Sequence, residues 1–165
     1  MSKDLQARVD IPASVADVVA LRTSERWVTL KADRLGDGSV LVSREERPDG
    51  GVDLAVSREL PDGVPGFLER FLPKDGRVVQ HESWGPADGA GIVRGTWSVE
   101  IDGAPAKIGG TGSLEPAGTG SLQLVEGTVK VSIPLIGGKA ESFLVDVVQK
   151  LLATEDALLA ETLAG

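Results

Sequence analysis

Residues 138–164, GKAESFLVDVVQKLLATEDALLAETLA, run without a proline or an internal glycine. Within them Ala140, Phe143, Leu144, Val147, Val148, Leu151, Leu152, Leu158, Leu159 and Leu163 recur at three-to-four spacing. That is the period of an α-helix with one apolar stripe. At 1.5 Å per residue such a helix is about 40 Å long. A stripe of that length must lie along an equally extended apolar surface. The rest of the chain offers one partner large enough, the concave face of a sheet.

The sheet is read from the segments before the helix. Four strands follow one another at about 77–84, 91–101, 107–114 and 121–133. The joins are turn signals: Pro86 to Gly89, Gly103 to Pro105, and Pro116 to Gly120. Short joins between consecutive strands imply an antiparallel meander. Upstream, Val40-Leu41-Val42 opens a hairpin, Pro48-Asp49-Gly50-Gly51 turns it, and Val52, Leu54, Val56 and Leu60 mark the return. Pro61 breaks that pattern. In VPGFLERFLP, residues 64–73, Phe67, Leu68, Phe71 and Leu72 suit a short apolar helix closed by Pro73.

At the start of the chain Leu5, Ala7, Val9 and Ile11 alternate with polar neighbours, as on a strand with one wet face. Pro12 ends it. Ser14 with Asp17 three residues on makes a capping box for a short helix to about Leu21. A second short helix is expected from Ser24 to Leu35, with Trp27, Leu30 and Leu35 roughly on one face, stopped by Gly36-Asp37-Gly38.

Composition narrows the function. A chain of 165 residues buries about two thirds of its unfolded surface and needs no disulfide or metal to hold it. It has no cysteine, so thiolate chemistry and zinc–cysteine sites are excluded. The net charge is −8, and no basic cluster offsets it. The tightest basic group, Arg44 to Arg47, contains two glutamates. That field repels nucleic acid and anionic membrane. Tyrosine is absent and aromatics are only 4%, a poor stacking platform for bases. The N-terminus carries no apolar run of signal-peptide length, and no stretch approaches the ~20 apolar residues of a membrane span. A cytoplasmic protein with no membrane insertion is expected.

Three stretches carry a resemblance. They are the 52–60 strand with the VPGFLERFLP that follows it, the ESW at 82–84, and GTVKVSIPLIGGKAE at 127–141. Together with the element order, they resemble the START-like superfamily (helix-grip, SRPBCC), which includes polyketide cyclases and the birch-pollen-allergen type. Within it the chain is similar to an uncharacterised bacterial family, a domain of unknown function. The resemblance spans nearly the whole chain and implies an α+β helix-grip fold for residues 1–165 as a single domain. In that fold a seven-stranded antiparallel sheet wraps a long C-terminal helix, with two short helices after strand one. The superfamily leaves a cavity between sheet and helix for an apolar or amphipathic ligand.

Strand alternation says which side chains would line such a cavity. On 91–101 the apolar phase is Val93, Gly95, Trp97, Val99 and Ile101. On 107–114 it is Ile108, Gly110, Gly112 and Leu114, and on 121–133 it is Val125, Gly127, Val129, Val131 and Ile133. Leu54, Val56 and Arg58 come from the hairpin, Phe67 and Phe71 from the short helix, and Phe143, Val147 and Leu151 from the long one. Inward glycines have two readings, room for a ligand or sharp sheet curvature with close packing. Strand 77–84 has no clean phase. Either Val78, Gln80, Glu82 and Trp84 face inward, or Val79, His81 and Ser83 do. Arg58 is a candidate partner for Glu82, as a polar anchor in an apolar pocket.

The remaining chemistry is thin. His81 is the only histidine, with no partner visible for acid–base work. No loop of spaced acids suggests a metal. Gly109-Gly110-Thr111-Gly112 is close to a dinucleotide loop, but Glu115 stands where the last glycine belongs. Gly137-Gly138-Lys139 is close to a phosphate loop, but Ile133 and Ala140 occupy positions that need Gly and Ser or Thr. Glu155 interrupts the apolar stripe, either at a cavity mouth or where the helix leaves the sheet. The expectation is a carrier of a small apolar ligand, without cofactor. One alternative is a cyclase- or dehydratase-like enzyme using Glu82 or His81. Another is a protein-interaction module with a filled interior.

Overall fold

A computed structural model describes residues 2–60, 63–72 and 76–164. In chain order the elements are β1 (Lys3–Ile11), α1 (Val15–Arg22), α2 (Glu25–Leu35), β2 (Val40–Glu46) and β3 (Val52–Glu59). They continue with α3 (Gly66–Glu69), β4 (Arg77–Trp84), β5 (Val93–Ile101), β6 (Ala106–Ala117), β7 (Gly120–Val131) and α4 (Gly137–Ala164). The strands form one seven-stranded sheet in the order β1-β7-β6-β5-β4-β3-β2. All the pairings are antiparallel. This is the α+β helix-grip architecture that the element order predicts.

Local chemistry sets the joints. Ser14 Oγ accepts the Asp17 N–H at 3.1 Å and Ser24 Oγ accepts that of Trp27 at 3.1 Å, so two successive serines start α1 and α2. Gly36, at φ 63°, ends α2 in the left-handed conformation that glycine adopts without a Cβ clash. β1 pairs with β7 from Lys3↔Val129 to Ile11↔Ser121, so the first strand closes over the last. The register of β2 shifts between Leu41 and Ser43, and both Val40 and Val42 are exposed on this edge strand.

Several boundaries differ from the sequence reading. β5 begins at Val93 because Gly91 belongs to a turn in which Asp88 accepts the Ala90 and Ile92 N–H groups. β6 and β7 run to a tighter turn than expected, with Pro116 opposite Ser121 inside the ladder. Ile133 falls outside β7, since the chain turns after Val131 and the Ser132 N–H bonds the Pro105 carbonyl at 2.9 Å. The apolar helix expected over 64–73 is one turn, Gly66–Glu69, extended by i→i+3 bonds to Phe71 and Leu72. Pro61 and Pro73 lie outside the described residues.

The core is in two parts. Ile11, Val18, Trp27, Leu54, Val56, Trp84, Leu114, Leu158 and Leu159 pack α1, α2 and the C-terminal half of α4 onto the sheet. Leu68, Val78, Val99, Ile108, Val129, Val131 and Ala140 pack beneath the start of α4. Between Ala140 and Leu158 the helix changes character. Phe143, Leu144, Val147, Val148, Leu151 and Leu152 are only half-buried, although they carry the apolar stripe. They face a cavity.

Candidate functional site

Two adjoining chambers lie between α4 and the sheet. The larger has a volume of about 280 Å³ and an apolar wall that includes Val64, Leu68 and Phe71 from the α3 region, Val99, Ile108 and Val131 from the sheet, and Phe143, Val147 and Leu151 from α4. The smaller, of about 50 Å³, is lined by Arg22, Arg58, Gln80, Glu82, Trp84, Trp97, Gln123, Val125 and Glu155 among others. Arg58, Val99, Val148 and Leu151 line both. The two chambers therefore adjoin, and both are mainly apolar, with a few charged side chains in the lining of the smaller.

The floor of the small chamber is built from tryptophans seated over glycines. Register places Glu82, Trp97, Gly110 and Gly127 side by side across four strands, with Trp84, Gly95 and Gly112 one step along. A Cβ on Gly127 would lie 2.6 Å from Trp97 Cζ2, and one on Gly95 2.9 Å from Trp84 Cε3. A Cβ on Gly110 would collide with the Glu126 carbonyl of the neighbouring strand. Gly95, Gly110 and Gly127 thus admit two indoles and close backbone approach, whereas Gly112 meets only ordinary contacts and lines the small chamber. The open space lies between those indoles and α4.

Strand β4 has a clear phase. Val78, Gln80, Glu82 and Trp84 point inward, and His81 points outward, half-exposed, with Nε2 3.6 Å from Glu100 Oε2. The histidine acid–base alternative therefore lacks access to the cavity. The Arg58–Glu82 pair does not form. Arg58 instead reaches Glu155 Oε1 at 3.3 Å, which Lys31 Nζ also approaches at 3.6 Å. Of the two places expected for Glu155, a cavity mouth or the point where the helix leaves the sheet, the structure favours the cavity: Glu155 is buried between these two cations and lines the small chamber. Glu82 Oε1 accepts the Trp84 indole N–H at 3.3 Å and stands 3.8 Å from Arg22 Nε.

Arg22 organises the polar end. Its guanidinium donates to Gln123 Oε1 and lies 5.8 Å from the Trp84 ring centre. Gln123 Nε2 in turn donates to Asp156 Oδ1 at 3.0 Å. Burial pushes the Asp156 carboxyl above the usual carboxylate range, and neighbouring Glu155 adds to this, while Arg22 and Gln123 pull the other way. The sequence reading does not single out Arg22, Lys31, Gln123 or Asp156. A signal is present: Arg22 follows Val15 and Val18 on the stripe of α1, Lys31 follows Trp27 on α2, and Gln123 precedes Val125 on the inward phase of β7.

Of the residues expected to line a cavity, Arg58, Phe71, Glu82, Trp84, Trp97, Val99, Ile108, Gly112, Val125, Phe143, Val147 and Leu151 face one or both chambers. Leu54, Val56, Val93 and Val129 are instead packed within the core. Phe67 packs against the core beneath α4, and Gly110 is covered by the neighbouring backbone. No group of acids and His able to hold a metal occurs among the described residues, and no described helix is long and apolar enough to cross a membrane.

The sheet wrapped on α4 is the START-like, helix-grip fold. Solved structures of the same fold include a protein of Thermus thermophilus, with a TM-score of 0.65 and 17% identity over 98% of this chain and 97% of that one. A di-domain ARO/CYC of the steffimycin biosynthetic pathway has a TM-score of 0.63 and 14% identity over 99% of this chain and 51% of that one. A STAR-related lipid transfer protein of Xanthomonas axonopodis has a TM-score of 0.60 and 16% identity over 97% and 85%. Within this class the chain belongs to the family described as "Protein of unknown function (DUF2505)", which it matches over residues 6–163. Uncharacterised proteins of Mycobacterium bovis and Mycobacterium tuberculosis are 26% identical over 163 residues, covering 94% of this chain and 93% of theirs.

Proposed function

We propose that the protein binds and carries a small amphipathic molecule in the cavity between the sheet and α4. The observation that carries this is a mainly apolar cavity of about 280 Å³ adjoining a second of about 50 Å³, also mainly apolar, whose lining includes Arg22, Arg58, Glu82 and Glu155. Mostly apolar walls with a few convergent polar groups are the usual make-up of a small-molecule site. The fold also serves a STAR-related lipid transfer protein and a di-domain ARO/CYC, which supports small-molecule binding without choosing between carriage and chemistry. A filled interior, as an interaction module would have, is at odds with the half-buried stripe of α4. The enzyme reading keeps one residue, Glu82, which faces the chamber beside Arg22.

Native mass spectrometry of the purified protein, followed by extraction of whatever co-purifies, tests the proposal. A recurring lipid or polyketide-like mass supports it. Repeated absence of such a mass, with no thermal shift across a lipid panel, counts against it. Turnover of a bound polyketide that is lost in Glu82→Gln would move the reading from carrier to enzyme.

A further inference from the structure

We infer that Arg58 is a crossbar that confines a bound molecule to the larger chamber and closes the smaller one to it. This rests on the ligand-binding reading above and adds the residue that sets how far the ligand reaches. Arg58 stands on β3, is buried, and donates from Nη1 to Glu155 Oε1 on α4 at 3.3 Å. The side chain therefore spans from sheet to helix, across the layer that holds both chambers. Four residues belong to both linings: Arg58, Val99, Val148 and Leu151. Val99 comes from β5 on the sheet side, and Val148 and Leu151 come from α4 on the other. They form a waist between the chambers, and Arg58 is the member of the four that bonds across it.

The far end of the bar is fixed. Glu155 is itself buried, and Lys31 Nζ approaches the same oxygen at 3.6 Å. A guanidinium stays charged at every pH at which proteins are handled. Moving it off Glu155 within a buried layer leaves a charged donor without its acceptor, which is costly. An apolar chain offers no replacement acceptor. Such a chain, entering the larger chamber, stops at Arg58. Beyond the waist lie the indoles of Trp84 and Trp97, which line the smaller chamber and not the larger. Tryptophan emission therefore reports passage beyond the bar.

The test uses 1,10-dibromodecane, which carries a fluorescence-quenching bromine at each end, so that its orientation in the cavity does not matter. Displacement of Nile red measures its binding. Emission measures its contact with Trp84 and Trp97, two of the three tryptophans; the third, Trp27, is buried in the core and lines neither chamber. The wild type is expected to bind the compound with its emission retained. Arg58→Ala and Arg58→Met are each expected to bind it with a loss of up to two thirds of the emission. Val147→Ala, which enlarges the larger chamber alone, should keep its emission. Should Arg58→Ala fail to fold, Arg58→Met, which nearly keeps the side chain's length, decides. Quenching in the wild type, none in a folded Arg58 variant, or equal quenching in Val147→Ala would overturn the crossbar and leave the ligand-binding reading standing. Failure of both Nile red and the dibromide to bind would remove both.

Discussion

Gly110 and Gly112 sit two residues apart on the same face of β6, yet their surroundings set opposite demands. A methyl at position 112 would lie 3.5 Å from Trp84 Cη2 and 3.6 Å from the Leu124 carbonyl, which is ordinary contact. One at position 110 would run into the backbone of Glu126 and Gly127. Gly112→Ala should therefore change unfolding free energy little, while Gly110→Ala should cost about 1–3 kcal/mol as the strands are forced apart. Urea unfolding of the two variants compares them directly, and equal costs would mean that the approach of β7 to β6 is not what glycine serves here. Trp97 belongs to the same row. It is half-buried, its Nε1 donates to the Thr111 carbonyl at 3.2 Å, and one side of its ring borders the small chamber. Trp97→Ala should fall below the roughly 3–5 kcal/mol of a fully packed tryptophan, because a ring beside a void has fewer contacts to lose. A cost at the top of that range in urea unfolding would show the chamber to be filled.

At the scale of elements, α4 carries both the apolar stripe and the charges that interrupt it. Glu155 is the shared partner of Lys31 on α2 and Arg58 on β3, so one carboxylate ties helix, helix and sheet together. Removing it leaves buried cations unpaired, and Glu155→Ala should destabilise by about 3–5 kcal/mol in urea unfolding. A cost of a few tenths would indicate that Lys31 and Arg58 relax into water. The next residue behaves differently with pH. Asp156 has its carboxyl raised by burial, so the folded state binds its proton more tightly than the unfolded chain does. Stability from the protonated form is complete below the ordinary aspartate value near ~4 and is lost as pH rises through the raised value. Asp156→Asn keeps an acceptor for Gln123 and removes this loss. Urea unfolding between about pH 4 and pH 8 should show a flatter profile for the variant, with its advantage growing toward neutral pH. Parallel profiles would place the pH dependence elsewhere, since the exposed Asp49 and Asp88 have lowered values and act only in acid.

Across the whole molecule, the architecture was readable because two periods, one of strands and one of a long helix, leave few ways to bury both apolar faces. The polar end of the cavity was not readable in the same way. Glu82 and Arg58 were visible as polar residues on inward phases, but their true partners, Arg22 on α1 and Glu155 on α4, are set by how the helices seat on the sheet. Periodicity orders residues within an element and carries no distance between elements. It also placed Leu54, Val56, Val93 and Val129 on the correct face without saying that packing, rather than open space, lies above them. That distinction can be tested by filling the space. Val147 is half-buried on α4, facing the apolar chamber, and a phenylalanine there points into about 280 Å³ of free volume. In a close-packed interior the change would cost about 1–3 kcal/mol. Here Val147→Phe should leave thermal stability unchanged or raise it, since filling a cavity commonly adds about 0.5–2 kcal/mol. The same variant should lose Nile red binding, because the new ring occupies the volume the dye needs. Scanning calorimetry and dye titration on one preparation separate the outcomes. A lower melting temperature with dye binding intact would mean that the space beneath α4 is not where small molecules go.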